Sequence, residues 1–201
     1  GRSETSISIK LKRIGKAGNT YNEKHREEKY AANLAFYNAY KFDDVLDCYC
    51  DTESWWRKQI GFNATTNDID KTIEADYHYP ADKFLAERYF NGFTYDLIDL
   101  DPFGSAYDCF DLALKIAKKG IIVTFGEMGH KRWKRLDFVR RYYGISNLSD
   151  FTTKSLVDEF RCIGIRNKKD CVPVIVKEWP RISRVYFEIR PIKITEQWEH
   201  D

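Results

Sequence analysis

Four aspartates at the ends of apolar runs are where this sequence concentrates its chemistry. The strongest segment reads Tyr95-Asp96-Leu97-Ile98-Asp99-Leu100-Asp101-Pro102-Phe103-Gly104-Ser105. Its apolar run is expected to be a strand that delivers Asp101 to its carboxyl end. Pro102 stops the strand there, because proline has no N–H to give to a ladder. Gly104 lets the backbone approach a ligand closely. A second segment, Val45-Leu46-Asp47-Cys48-Tyr49-Cys50-Asp51-Thr52-Glu53, reads as a strand ending in an acid, a tight turn and a helix. Open α/β sheets hold nucleotide-like ligands in this way, beyond the carboxyl ends of their strands. Asp68 follows Asp47 by 21 positions. An acid at that distance, closing the next strand, suits ribose hydroxyls, because a carboxylate accepts both O–H bonds. Asp82, in Ala81-Asp82-Lys83-Phe84-Leu85, is placed either to accept from an adenine amine or to cap a helix beginning at Lys83.

A basic and aromatic stretch adds a second kind of chemistry. Gly126-Glu127-Met128-Gly129-His130-Lys131-Arg132-Trp133-Lys134-Arg135 is followed by Arg140, Arg141, Tyr142 and Tyr143. Between His130 and Tyr143 there are six Lys or Arg residues and one acid, Asp137. Basic side chains neutralise phosphates, and interleaved aromatics stack on unpaired bases. His130, Lys131, Arg132, Trp133, Lys134 and Arg135 are therefore candidate substrate contacts, together with Gly104. A solvated amphipathic helix burying Trp133, Leu136 and Val139 fits the same pattern. Lys10, Lys12, Arg13 and Lys16 could extend a basic surface.

The elements that must position these residues alternate. Residues 7–11 read as a strand with one wet face. Thr20 and Glu23 have capping-box spacing, which predicts a helix to about Tyr40. Residues 1–43 are read as a strand and helix packing on the core, and 44–201 as the main domain. Strands are expected over 45–49, 63–67, 75–79, 95–100 and 121–125. Helices are expected over 55–60, 83–90 and 106–118, the last stopped by Gly120. Residues 171–177 and 184–192 read as a hairpin. This alternation predicts a doubly wound α/β sheet closed by an antiparallel pair.

Composition bounds the function. Of 201 residues, 43% are hydrophobic and 32% charged, which is globular rather than disordered composition. The formal net charge of +2 names no polyanionic partner, so local charge has to. The five cysteines form no CxxC pair, which speaks against a zinc site and for reduced, buried thiols. With no apolar run of membrane length, a cytoplasmic protein without a membrane or metal partner is expected.

Residues 99–105, Asp-Leu-Asp-Pro-Phe-Gly-Ser, resemble the fourth motif of the tRNA guanine-N2 dimethyltransferase family. They are similar also to the Asp-Pro-Pro-Tyr motif of enzymes that methylate nucleic-acid amines. The resemblance extends from about residue 33 to residue 127, and the terminal hairpin agrees with it. It implies a Rossmann-like class I methyltransferase fold, with a mostly parallel sheet, helices on both faces and a C-terminal antiparallel hairpin. The implied cofactor is S-adenosyl-L-methionine, and the implied substrate is a base amine, in RNA rather than DNA. Asp101 would contact the amine, the Pro102 carbonyl would share that contact, and Phe103 would stack on the base. Asp47, Cys48, Tyr49 and Asp51 would hold the cofactor from the first loop. Asp68, Ile69, Asp82, Lys83 and Asp99 would hold it from the others. Glu127 and His130 receive no acid–base role, since methyl transfer needs none.

Two positions depart from the class. Asp51 and Glu53 stand where it carries Gly-x-Gly. If those positions were left-handed, a β-carbon would cost roughly 1–2 kcal/mol there. Ala106 replaces a proline that the family usually has. A catalytically degenerate fold that binds nucleic acid or protein is thus an alternative, as is an enzyme acting on a small molecule or a protein.

Overall fold

The computed structural model describes residues 19–52, 54–132 and 134–192, without the side chains of residues 19–24, 62 and 132. The expected strand at 7–11, the basic residues before Asn19, Glu53 and Trp133 lie outside the described residues. The chain divides into two units, Gly1–Ala39 and Tyr40–Asp201. The first contains nearly all of helix α1 (Asn19–Tyr40).

The second unit is built on one six-stranded sheet in the order β2-β1-β3-β4-β6-β5. Its strands are β1 (Val45–Asp47), β2 (Ala64–Thr66), β3 (Tyr95–Leu100), β4 (Ala117–Phe125), β5 (Lys169–Trp179) and β6 (Ile182–Pro191). The first four run parallel. β6 lies antiparallel to both β4 and β5. The expected hairpin is therefore present, turning at Pro180 and Arg181. β1 and β3 are buried along their whole length, because helices cover both faces of a parallel sheet. Leu46, Ile98, Val123, Phe125 and Phe187 meet Phe110 and Phe160 in one core.

The helices of this unit are α2 (Trp55–Ile60), α3 (Ala81–Phe90), α4 (Phe110–Ile116), α5 (Met128–Arg132), α6 (Leu136–Tyr143) and α7 (Thr153–Arg166). From β1 the chain moves outward to β2, then crosses back to place β3 on the other side of β1. The carboxyl ends of β1 and β3 thus form the topological switch point, where ligands of such sheets bind.

Several expectations needed correction. The third strand at 75–79 shrinks to a single parallel bridge, Asn67↔Tyr77. The Asn67 side chain donates to the Tyr79 carbonyl (3.1 Å) and accepts from its N–H (3.1 Å), taking the bonds a longer ladder would use. The helix at 106–118 is shorter, and Gly120 sits inside β4 rather than at a helix stop. There Lys118 and Lys119 reach the buried Asp96 carboxylate at 3.0 and 2.6 Å, which favours strand over helix. Helix α7 went unread in the sequence. Its signals were Thr152, a capping-box N-cap, and the inward spacing of Leu156, Val157, Phe160 and Ile163. All five cysteines are free thiols, but Cys162 is exposed rather than buried. No helix among the described residues is long and apolar enough to cross a membrane.

Candidate active site

The loop after β1 is braced from within. Asp47 is buried, and its carboxylate accepts from the Ser54 hydroxyl at 2.6 Å. Ser54 also caps α2 by accepting from the Arg57 N–H at 3.3 Å. Cys48 and Cys50 are buried. The Cys48 N–H donates to the Asp99 carbonyl (3.1 Å) and the Cys50 N–H to the Asn67 carbonyl (3.1 Å). Neighbouring strand ends are thereby laced together. Tyr49 is half-buried and its hydroxyl lies 3.2 Å from the Cys109 sulfur. Asp51 is exposed, and its carboxylate accepts from the Thr52 N–H at 2.7 Å. Asp51 is not among the residues with positive φ. The cost of a β-carbon in a left-handed turn therefore does not arise at this position.

The second and third loops supply carboxylates. Asp68 follows β2, half-buried, and accepts from the Asp70 N–H at 2.7 Å. Ile69 beside it is exposed. Asp82 and Lys83 are exposed in the first turn of α3. Asp82 is not the cap, because the helix starts at Ala81 after Pro80. Burial raises the Tyr49 phenol far above its usual range, and the Cys109 thiol, Cys48 and Asp82 add to the rise.

Beyond β3, Asp101 is partly buried and Phe103 is wholly exposed, at 115% relative accessibility. The Gly104 carbonyl accepts from the Gly126 N–H at 3.1 Å, joining the loops after β3 and β4. A β-carbon on Gly126 would collide with that carbonyl oxygen. Glu127 is fully buried. It accepts from the Ser105 hydroxyl at 2.7 Å and from the Tyr143 hydroxyl at 3.1 Å. Burial pushes its carboxyl up to about 7 against those hydrogen bonds.

Arg184 of β6 falls where the sequence predicts only a strand, with no site role. It is fully buried. Its guanidinium reaches Asp99 at 2.5 Å, Asp101 at 3.4 Å and the Thr124 hydroxyl at 2.5 Å. Nε donates to the Tyr186 hydroxyl at 3.2 Å. Burial opposes the charge, but the Asp99 carboxylate, with Tyr186 and Asp101, holds the guanidinium above its ordinary value. Asp99 also accepts from Trp56 Nε1 at 2.8 Å on the same oxygen, Oδ2, while its Oδ1 is buried with no hydrogen-bond partner among the described residues. The available signal was a lone arginine entering the apolar run Val185-Tyr186-Phe187.

The basic stretch is two short helices broken at Lys134, which is left-handed at φ 53°. Its inner face is Val139 and Tyr143. His130 stacks on Phe138 at 3.8 Å, and burial lowers the imidazole below its usual value. Lys131 donates to the Ser149 and Phe151 carbonyls at 3.4 and 3.3 Å. Arg135 pairs with Asp137 at 3.1 Å. Lys134, Arg140 and Arg141 are exposed. Of the expected substrate contacts, the structure thus ties His130, Lys131 and Arg135 to protein neighbours.

A mostly parallel sheet with a switch point between β1 and β3, closed by an antiparallel hairpin, is the Rossmann-like fold of class I methyltransferases. No family model matches the chain, and no curated protein sequence does. Solved structures do share its fold. Trm1 from Pyrococcus horikoshii, in complex with S-adenosyl-L-methionine, matches with a TM-score of 0.66 at 18% identity, covering 81% of this chain and 54% of that one. The chain thus spans about half the length of that protein. Magnesium protoporphyrin IX methyltransferase from Synechocystis PCC 6803, with bound SAH, matches with a TM-score of 0.57 at 14% identity, over 92% of this chain and 94% of that one. The methyltransferase domain of bacterial CtHen1 matches with a TM-score of 0.51 at 10% identity, over 81% and 98%.

Proposed function

We propose that the chain is an S-adenosyl-L-methionine-dependent methyltransferase acting on an exocyclic amine of a nucleic-acid base, in RNA rather than DNA. One observation carries this reading. Asp101, Pro102 and the fully exposed Phe103 stand together beyond β3 at the switch point. Acceptor, carbonyl and aromatic face are the three groups needed to hold a flat base bearing an amine.

The residues present suit the cofactor. Asp68 offers a half-buried carboxylate beyond β2 for a ribose diol, and exposed Ile69 offers an apolar face beside it. Cys48, Tyr49 and Asp51 border the same edge, and Asp82 and Lys83 open α3 near Tyr49. Asp47 and Asp99 support the site from inside, through Ser54 and Arg184. When bound, the cofactor supplies an electrophilic methyl group on a sulfonium.

The chain's own residues make the nucleophile competent. The lone pair of an exocyclic amine is delocalised into its ring. Hydrogen bonds from the amine to Asp101 and to the Pro102 carbonyl favour a tetrahedral nitrogen with a directed lone pair. Orientation of this kind supplies on the order of 7–11 kcal/mol in the best cases. Phe103 fixes the plane of the base, while exposed Lys134, Arg140 and Arg141 meet phosphates. The motif resemblance supports RNA.

The test is calorimetric titration with S-adenosyl-L-methionine, with Asp68→Ala as control, followed by methyl transfer to tRNA transcripts and DNA oligonucleotides. Saturable binding weakened by the substitution, with label entering RNA, supports the reading. Nucleic-acid binding without cofactor binding at millimolar concentration selects the degenerate module. Transfer to neither polymer, with cofactor bound, selects a small-molecule or protein substrate.

A further inference from the structure

Asp101 does not stand alone at the end of β3. Leu100 pairs with Val123 across β3 and β4, so Asp101 lies one step further, level with Thr124. Thr124 in turn pairs with Arg184 across β4 and β6. Thr124 and Arg184 thus form a row across β4 and β6, with Asp101 beside it just past the end of β3. Asp99 lies two residues before Asp101, so both side chains leave the same face of the sheet. A fully buried guanidinium closes that row, 2.5 Å from Asp99 and 3.4 Å from Asp101.

We infer that Arg184 is a positioning residue for Asp101: anchored on Asp99, Thr124 and Tyr186, it fixes the orientation in which the Asp101 carboxylate meets the substrate amine. The inference rests on the methyl-transfer reading above. The two aspartates divide the work. Asp99 is 4% exposed in its side chain and takes the shorter ion pair, which fixes the fork. Asp101 is 23% exposed in its side chain and takes the longer one, nearer the surface of the site. Tyr186, Thr124, Asp99 and Asp101 together fix the guanidinium plane. A planar fork can serve two carboxylates at once, whereas an ammonium is a single point charge. The antiparallel hairpin, the most distant element in sequence from Asp101, thereby sets the geometry of the amine site.

The test uses Arg184→Lys, Arg184→Met and Tyr186→Phe in the full chain. Each is assayed for thermal melting, SAH binding and steady-state methylation of a tRNA transcript, and the Arg184→Lys protein is crystallised. The inference expects folded Arg184→Lys to lose far more in kcat than in SAH affinity or KM for RNA. Its kcat falls about a hundredfold, as a displacement near 1 Å can produce. Tyr186→Phe, which loosens the fork without removing charge, shows the same split more weakly and serves if the arginine variants do not fold. The Arg184→Lys crystal structure is expected to show the Asp101 carboxylate turned from its wild-type position. Unchanged kcat in folded Arg184→Lys, or an Asp101 carboxylate that has not moved, overturns the inference. If the wild-type chain methylates no RNA, the functional reading fails by itself, and the crystal structure still decides whether Arg184 holds Asp101.

Discussion

The Glu127 carboxylate accepts a hydrogen bond from the Ser105 hydroxyl at 2.7 Å, joining the residue after Gly126 to the residue after Gly104. With the Gly126 N–H on the Gly104 carbonyl at 3.1 Å, this clamps the loops after β3 and β4 against each other. The Tyr143 hydroxyl adds a third point from α6. Phe103 projects from the clamped loop into solvent, so its exposure reflects a held position rather than a loose end.

The clamp makes stability depend on pH. Burial pushes the Glu127 carboxyl from 4.5 in the unfolded chain up to about 7. The folded state then binds the proton more tightly. The associated stabilisation is full below the ordinary carboxylate range and is lost as pH rises through about 7. Its size is on the order of 3 kcal/mol. Chemical denaturation from pH 4.5 to 8 should show this decline, and Glu127→Gln should flatten that part of the curve. An unchanged slope in the variant would contradict the assignment.

Gly126→Ala should be costly although only a methyl group is added. The new β-carbon meets the Gly104 carbonyl oxygen, which is backbone and cannot turn aside. The loops must separate, at a cost of about 1–3 kcal/mol. Urea unfolding measures the loss. Methylation should fall further than the lost folded fraction explains, because the Asp101–Gly104 loop moves with it.

Phe103→Ala should behave in the opposite way. The side chain is fully exposed, so stability should stay within about 0.5 kcal/mol. Binding of a single-stranded RNA should weaken by roughly 1–3 kcal/mol, the worth of one stacked base. Fluorescence anisotropy with a labelled oligonucleotide provides the measurement. Equal affinity in variant and wild type would remove Phe103 from the base site.

The exposed cations of α6 make a prediction in salt. Removing Arg140 or Arg141 should reduce the slope of log K against log salt by about 1 each, with little dependence on RNA sequence. Arg135→Ala should change the slope less, since its guanidinium is paired with Asp137.

Local chemistry made much of this protein legible in its sequence. The apolar runs around Val45-Leu46, Leu97-Ile98 and Ile121-Ile122-Val123, bounded by turn and charged residues, read as buried strands. Pro102 after Asp101 marks a strand end whatever surrounds it. Alternation of strands with helices, closed by a hairpin, determined the fold class, because each signal lies within a few residues of chain. Tertiary structure decided what depends on residues far apart. Arg184 meets Asp101 across two strand pairings, and no local pattern announces a guanidinium bridging β3 and β6. The sequence marks Asp47 and Asp99 as acids at strand ends, but only the fold gives them Ser54 and Arg184 as partners. Lys118-Lys119-Gly120 looked like the end of a helix until Asp96 on the neighbouring strand drew both lysines into β4. A carboxylate's type is set by the sequence, but its partner is set by which strands lie side by side.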